Sequence, residues 1–184
     1  MTERQKMVSG VPYDPLDPEL VAARAEARRL AQLFAAADPG DEAGRRVMLA
    51  KMLGHVGFGA WVEAPVYVDY GWNVSLGDRA FLNFGCVLLD CAPITVGAGS
   101  LIGPGVQLCA AAHPVDPDER RRGVEYAQPI SVGYNVWIGA GTIVSAGVAI
   151  GNDTVVGAGA VVVRDLPSGV LAAGTPARVL RRLR

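Results

Sequence analysis

An aliphatic residue returns at every sixth position through most of the chain's second half. Leu76, Leu82 and Leu88 form one series, Val96, Ile102 and Leu108 a second, and Val132, Ile138, Val144, Ile150, Val156 and Val162 a third. Glycine directly follows many of them, as in Leu76-Gly77, Val96-Gly97, Ile102-Gly103, Val132-Gly133, Ile138-Gly139, Ile150-Gly151 and Val156-Gly157. Long helices repeat every 3.6 residues and strands every two, so neither alone produces this period. Short strands that each bury one aliphatic residue and turn at glycine-tolerant corners do produce it. Three such strands make a coil of about 18 residues, and coils stacked at the strand spacing of about 4.8 Å align each series into an internal column. The spacing predicts a mainly β chain wound as a parallel β-helix. It leaves the hand of the coil open, since most parallel crossovers are right-handed.

Residues 1–54 follow a different rule. Leu20, Ala23, Ala27, Leu30 and Phe34 recur at helical spacing between Asp17 and Asp38, with Asp17 as N-cap and Pro18 at the first helical position. Asp38-Pro39-Gly40 stops that helix, and a second over 41–53 presents Val47, Leu49, Ala50 and Leu53. The chain thus divides into a helical hairpin over 1–54 and a β-helix over 55–184, whose regular repeats begin near Trp61. An open last coil needs a cap, and the C-terminal PARVLRRLR, with Val179, Leu180 and Leu183 close together, is expected to supply a short amphipathic one.

A length of 184 residues suits one domain with a small appendage. The 17 basic and 18 acidic residues leave a formal charge of −1, so no global field points to nucleic acid or an anionic membrane. The partner expected is a small molecule or another copy of the chain. No apolar run reaches the roughly 18 residues of a membrane span, and MTERQK leads into no signal-peptide core, which reads as a cytoplasmic protein. Cys86, Cys91 and Cys109 form neither an even disulfide framework nor a zinc spacing and are expected to pack as small hydrophobes.

The rhythm breaks once, at AAAHPVDPDERRRGVEYAQPI. Leu108 and Val132 keep a separation of whole repeats, yet 114–127 carries no aliphatic column, which predicts a loop over 114–128 thrown outward from the coil. Loops of this length in a compact repeat are often functional. His113 stands at the junction, and Pro114 biases it towards extended backbone. Histidine is the side chain suited to removing a hydroxyl proton near neutrality. The charges of DPDERRR read mainly as a solvated loop face.

These repeats, together with RQKMVSGVPYDPLDPEL, PVYVDYGWNVSLG, FLNFGCVLLD, the HPVDPDERRRGVEYAQPI excursion, VGYNVWIGAG and AAGTPARVLRRL, resemble the maltose and galactoside O-acetyltransferases, relatives of the nodulation acetyltransferases. The resemblance implies a left-handed β-helix, a homotrimer with active sites at subunit interfaces, and transfer of an acetyl group from acetyl-CoA to a sugar hydroxyl without a metal. The family's catalytic histidine falls on His113. Its acceptor positions fall on Asn83, Asp69, Asp90 and Glu125, and with an offset of one on Asp14. Its donor positions fall on Asn83, Trp137, Ala140, Ala158, Arg164, Arg178 and Arg181, the arginines towards the nucleotide phosphates. Glu125 either orients the imidazole or accepts a sugar hydroxyl; galactoside-type members carry an apolar residue there, and VDYGWN and GVEY sit nearer the maltose-type pattern. Asp90 could equally be a turn residue, because DCAP adds two residues to the repeat. Trp137 could serve packing alone. Two other readings fit the fold: a zinc enzyme of the γ-carbonic anhydrase type, which needs three histidines where this chain has only His55 and His113, and a non-enzymatic scaffold.

Overall fold

The computed structural model describes residues 1–183. From His55 onward the chain winds into a three-sided parallel β-helix, one short strand per side in each coil. The first face stacks His55–Val56, Val74–Leu76, Ile94–Val96, Ile130–Val132 and Ala149–Ile150. The second stacks Trp61–Val62, Phe81–Leu82, Leu101–Ile102, Trp137–Ile138, Val155–Val156 and Val170–Gly174. The third stacks Tyr67–Val68, Val87–Leu89, Gln107–Cys109, Ile143–Val144 and Val161–Val162.

Register turns the six-residue period into three columns. Leu76, Val96, Val132 and Ile150 pair in succession along the first face; Leu82, Ile102, Ile138 and Val156 do so along the second; and Leu88, Leu108, Val144 and Val162 along the third. None of these side chains is more than 3% exposed, and each contributes about 1.5–3 kcal/mol by burial. The glycines mark where coils meet closest. At Gly139 an added Cβ would lie 2.5 Å from the Ala158 backbone nitrogen in the next coil.

Three helices close the start of the coil. Helix α1 (Glu3–Val8) has no counterpart in the apolar periodicity; a capping box forms it, with the Thr2 side chain accepting from the Gln5 N–H and the Gln5 side chain accepting from the Thr2 N–H. Helix α2 (Pro18–Ala36) starts at the expected Asp17 cap and buries Leu20, Ala27 and Phe34. Helix α3 (Glu42–Met52) starts from Asp41 and buries Arg45, Leu49 and Met52. The expected inward Val47 is instead 54% exposed. Arg45 takes the core side: its guanidinium lies 4.4 Å over the Phe34 ring and Nη2 donates to the Val62 carbonyl at 3.1 Å, covering a backbone acceptor of the first coil.

The far end also differs from expectation. PARVLRRLR continues as a strand, Ala177–Arg182, antiparallel to Val170–Gly174, with Val179 and Leu180 largely exposed. Hydrogen bonding to the last coil's open edge, rather than an apolar lid, closes that side of the barrel. The 114–128 excursion is a loop with structure of its own: Ala111–Ala112 and Tyr126–Ala127 pair antiparallel at its neck, and helix α4 (Pro117–Arg121) sits at its tip, capped by Asp116.

Candidate active site

The neck of the loop sets the geometry around His113. Ala112 pairs with Tyr126, so the next residues outward, His113 and Glu125, stand opposite each other. Their side chains approach to 3.8 Å between Nε2 and Oε1. Pro114 is buried behind the exposed imidazole, and holds the junction in extended backbone. On its other side Glu125 pairs with Tyr13, each backbone N–H donating to the other's carbonyl at 3.1 Å. Directly opposed residues in an antiparallel pair share a face; the Tyr13 hydroxyl accordingly donates to Glu125 Oε2 at 2.7 Å. Glu125 is thereby held between the N-terminal arm and His113. Tyr13 is absent from the residues chosen by sequence, and its neighbour Asp14 points elsewhere: Asp14 is exposed and its Oδ1 accepts from the Leu16 N–H at 2.8 Å.

Tyr13 also borders Cys91, whose thiol faces Asp69 Oδ2 at 3.7 Å. Asp69 in turn lies 3.7 Å from Arg28 Nη2, at the end of a cleft of about 530 Å³ between α2 and the third face. Burial pushes the Asp69 carboxyl above its ordinary range, and Arg28 opposes that rise. Burial likewise pushes the Cys91 thiol up to about 12, which keeps it a neutral thiol and no nucleophile. Asp69, Glu125 and His113 therefore belong to one polar strip.

Asp90 does not. It is wholly buried, with Oδ1 accepting from the N–H groups of Asp69 and Tyr70 at 3.0 and 2.8 Å and Oδ2 from that of Asn73 at 3.2 Å. Of the two roles expected for it, the turn is the one these hydrogen bonds serve: Asp90 fixes 69–73 from within, its carboxyl pKa raised by burial against the pull of backbone donors.

Four of the seven residues expected on the donor side share a second feature, a groove of about 710 Å³ along the second face and its corner with the third. Asn83, Trp137, Ala140 and Ala158 all line it. Trp137 is 56% exposed because its strand position points outward between Leu101 and Val155. Asn83 turns its amide oxygen to the Phe84 N–H at 2.8 Å, leaving the amide N–H₂ for another partner. Small residues and glycines line the corner, so a ligand can approach the backbone there. Arg178 and Arg181 lie on the final strand opposite Ala173 and Leu171, and Leu171 is itself a groove residue. Arg164 is exposed just past the last third-face strand. Among the described residues these three arginines have no carboxylate within 4.0 Å.

A maltose acetyltransferase hexapeptide capping motif matches residues 6–57 and a hexapeptide repeat of succinyl-transferase matches 129–164. Nodulation protein L of Rhizobium meliloti is 46% identical over 97% of this chain and 97% of its own length, and the galactoside O-acetyltransferase of Escherichia coli is 37% identical over 100% and 89%. The chain belongs to the maltose/galactoside O-acetyltransferase family. Solved relatives of this hexapeptide-repeat family carry the likeness into three dimensions. A maltose O-acetyltransferase from Clostridium difficile superposes with a TM-score of 0.98 at 38% identity, covering 100% of this chain and 98% of that one. A hexapeptide-repeat acetyltransferase from Vibrio cholerae, complexed with acetyl-CoA, does so at 0.93 and 38%, covering 100% of each. As a member of this family, the chain is an acetyltransferase.

Proposed function

We propose that the chain moves the acetyl group of acetyl-CoA to a hydroxyl of a sugar, with His113 as general base, and that a complete site requires two copies of the chain. One observation carries the reading: the residues selected for the donor, Asn83, Trp137, Ala140 and Ala158, line a single groove. That groove, about 710 Å³ and walled by glycine and alanine backbone, suits a pantetheine arm, and Arg178 and Arg181, on the strand paired with the groove residue Leu171, suit its phosphates. The acetyl-CoA complex of the Vibrio cholerae relative supports the choice of donor.

The acceptor side belongs to another edge. His113 leaves the coil at the corner between the third and first faces, whereas the groove lies on the second face and its corner with the third. One side of the triangle separates them, roughly 15–20 Å at the rise of a strand. A histidine and a thioester that far apart in one copy meet when neighbouring copies pack edge to face, which favours a closed cyclic assembly such as a trimer.

The chemistry is direct transfer. His113 takes the proton as the acceptor oxygen attacks the thioester carbonyl; the tetrahedral oxyanion collapses, the C–S bond breaks, and the imidazolium returns the proton to the departing thiolate. A donor aimed at the oxyanion lowers that barrier, and the Ala140 backbone N–H is the candidate. Thiol release from acetyl-CoA with glucose, maltose, a galactoside, serine or chloramphenicol as acceptor tests the reading. Release is expected with a sugar and to fall by about 10²–10⁴-fold in folded His113→Ala. Unchanged release in that variant would remove His113 from the chemistry.

A further inference from the structure

We infer that Tyr13 is a positioning residue, which pins the Glu125 carboxylate as the acceptor for a second hydroxyl of the substrate. The inference rests on His113 as the base. Three observations converge on it. The Tyr13 ring is 1% exposed, so its hydroxyl has no freedom to seek water. Its backbone is paired to Glu125 on both sides, which fixes the approach. Its O–H donates to Oε2 at 2.7 Å, leaving Oε1 turned to His113 Nε2.

The 3.8 Å between Oε1 and Nε2 is too long for a hydrogen bond. With its proton on Nδ1, the tautomer that a base acting through Nε2 requires, the imidazole presents an acceptor to the carboxylate's acceptor, so neither satisfies the other. Two hydroxyls of one acceptor satisfy both: the reacting hydroxyl donates to Nε2 and a second donates to Oε1. A carboxylate free to rotate would lose this arrangement. Burial, then Cys91 and Glu125 itself, pushes the phenol above its ordinary range, so Tyr13 stays a donor throughout the working pH. The N-terminal arm thereby becomes part of acceptor recognition: Met7 of α1 is fully buried, and the arm passes from α1 through Tyr13 to the Asp17 cap of α2.

The test is a double-substitution cycle with Tyr13→Phe and Glu125→Gln, using acetyl-CoA and methyl glucoside with its monodeoxy analogues. Tyr13→Phe keeps the ring and the backbone pairing. It is expected to raise the acceptor KM about tenfold, to leave the acetyl-CoA KM unchanged, and to level the loss caused by removing one particular hydroxyl. In the Glu125→Gln background it should have no further effect, because a residue acting only through Glu125 is silent once Glu125 is altered. Glu125→Asp, too short to reach the phenol, should match Tyr13→Phe and guards against a folding defect in the latter. A readout independent of turnover is available because the chain has only two histidines: at fixed pH, Tyr13→Phe should move the His113 ring resonances and leave those of His55 in place. An unchanged acceptor KM, an equal effect in both backgrounds, or unmoved His113 resonances would overturn the inference. Failure of His113 as base is a separate result, read from His113→Ala alone.

Discussion

Asp90 illustrates how a buried carboxyl is held by backbone N–H groups rather than by a basic side chain. Its two oxygens collect three N–H groups from 69–73, and Asn73 returns a hydrogen bond to its carbonyl at 2.7 Å. Asp90→Ala removes the acceptors and leaves those donors unsatisfied, at about 1–3 kcal/mol for each that stays dry. Chemical denaturation should show a stability loss of about 3 kcal/mol, while the acetyl-CoA KM of the folded fraction stays unchanged. The sequence offered two roles for Asp90, and the structure shows the hydrogen bonds of the turn. The place of His113 at the neck of the loop was legible because a histidine and a proline sit where the aliphatic rhythm stops; its role as base rests on the resemblance and belongs to the proposed function. Tyr13 was not legible, since its partner lies 112 residues away and only the register between arm and loop brings them together.

Helix α2 was legible because cap, proline and apolar face agreed; in α3 the face was misjudged, since Arg45 spends a charged residue where the pattern asked for an apolar one. A guanidinium stacked on Phe34 covers apolar surface while its N–H serves the coil's edge, an arrangement no hydropathy pattern encodes. At the other end, Val179, Leu180 and Leu183 suggested an amphipathic lid, but the last coil offered an unpaired edge and the chain took it as a strand. The coils make a sharper prediction. Gly139→Ala places a Cβ against the Ala158 backbone of the next coil, whereas Gly141, at φ +66°, has open space around it. Gly141→Ala should cost about 1 kcal/mol, the price of the left-handed backbone alone. Gly139→Ala should cost at least 2 kcal/mol, because stacked backbones must part. Equilibrium unfolding of the two variants, side by side, distinguishes strain within a turn from strain between coils.

Across the whole molecule, the six-residue period dictated the number of faces and the content of the core, because each coil can bury its aliphatic residue only beneath the next. The hand of the coil and the assembly of copies lay outside it: periodicity is the same for either hand, and an interface between copies leaves no period at all. The separation of His113 from the Asn83 and Trp137 groove carries the strongest consequence, since under the proposed function each site is the joint property of two subunits. Mixing subunits tests this most directly. His113→Ala and the groove-filling Ala140→Trp are each expected to be inactive alone; unfolded together and refolded at equal amounts, they should form hybrids in which an intact His113 faces an intact groove. Acetyl transfer should return to about one quarter of the wild-type rate, the fraction of sites with both intact partners in a randomly mixed ring. No recovery from hybrids shown to have formed would mean that histidine and groove work within one chain, and would contradict a site shared between copies.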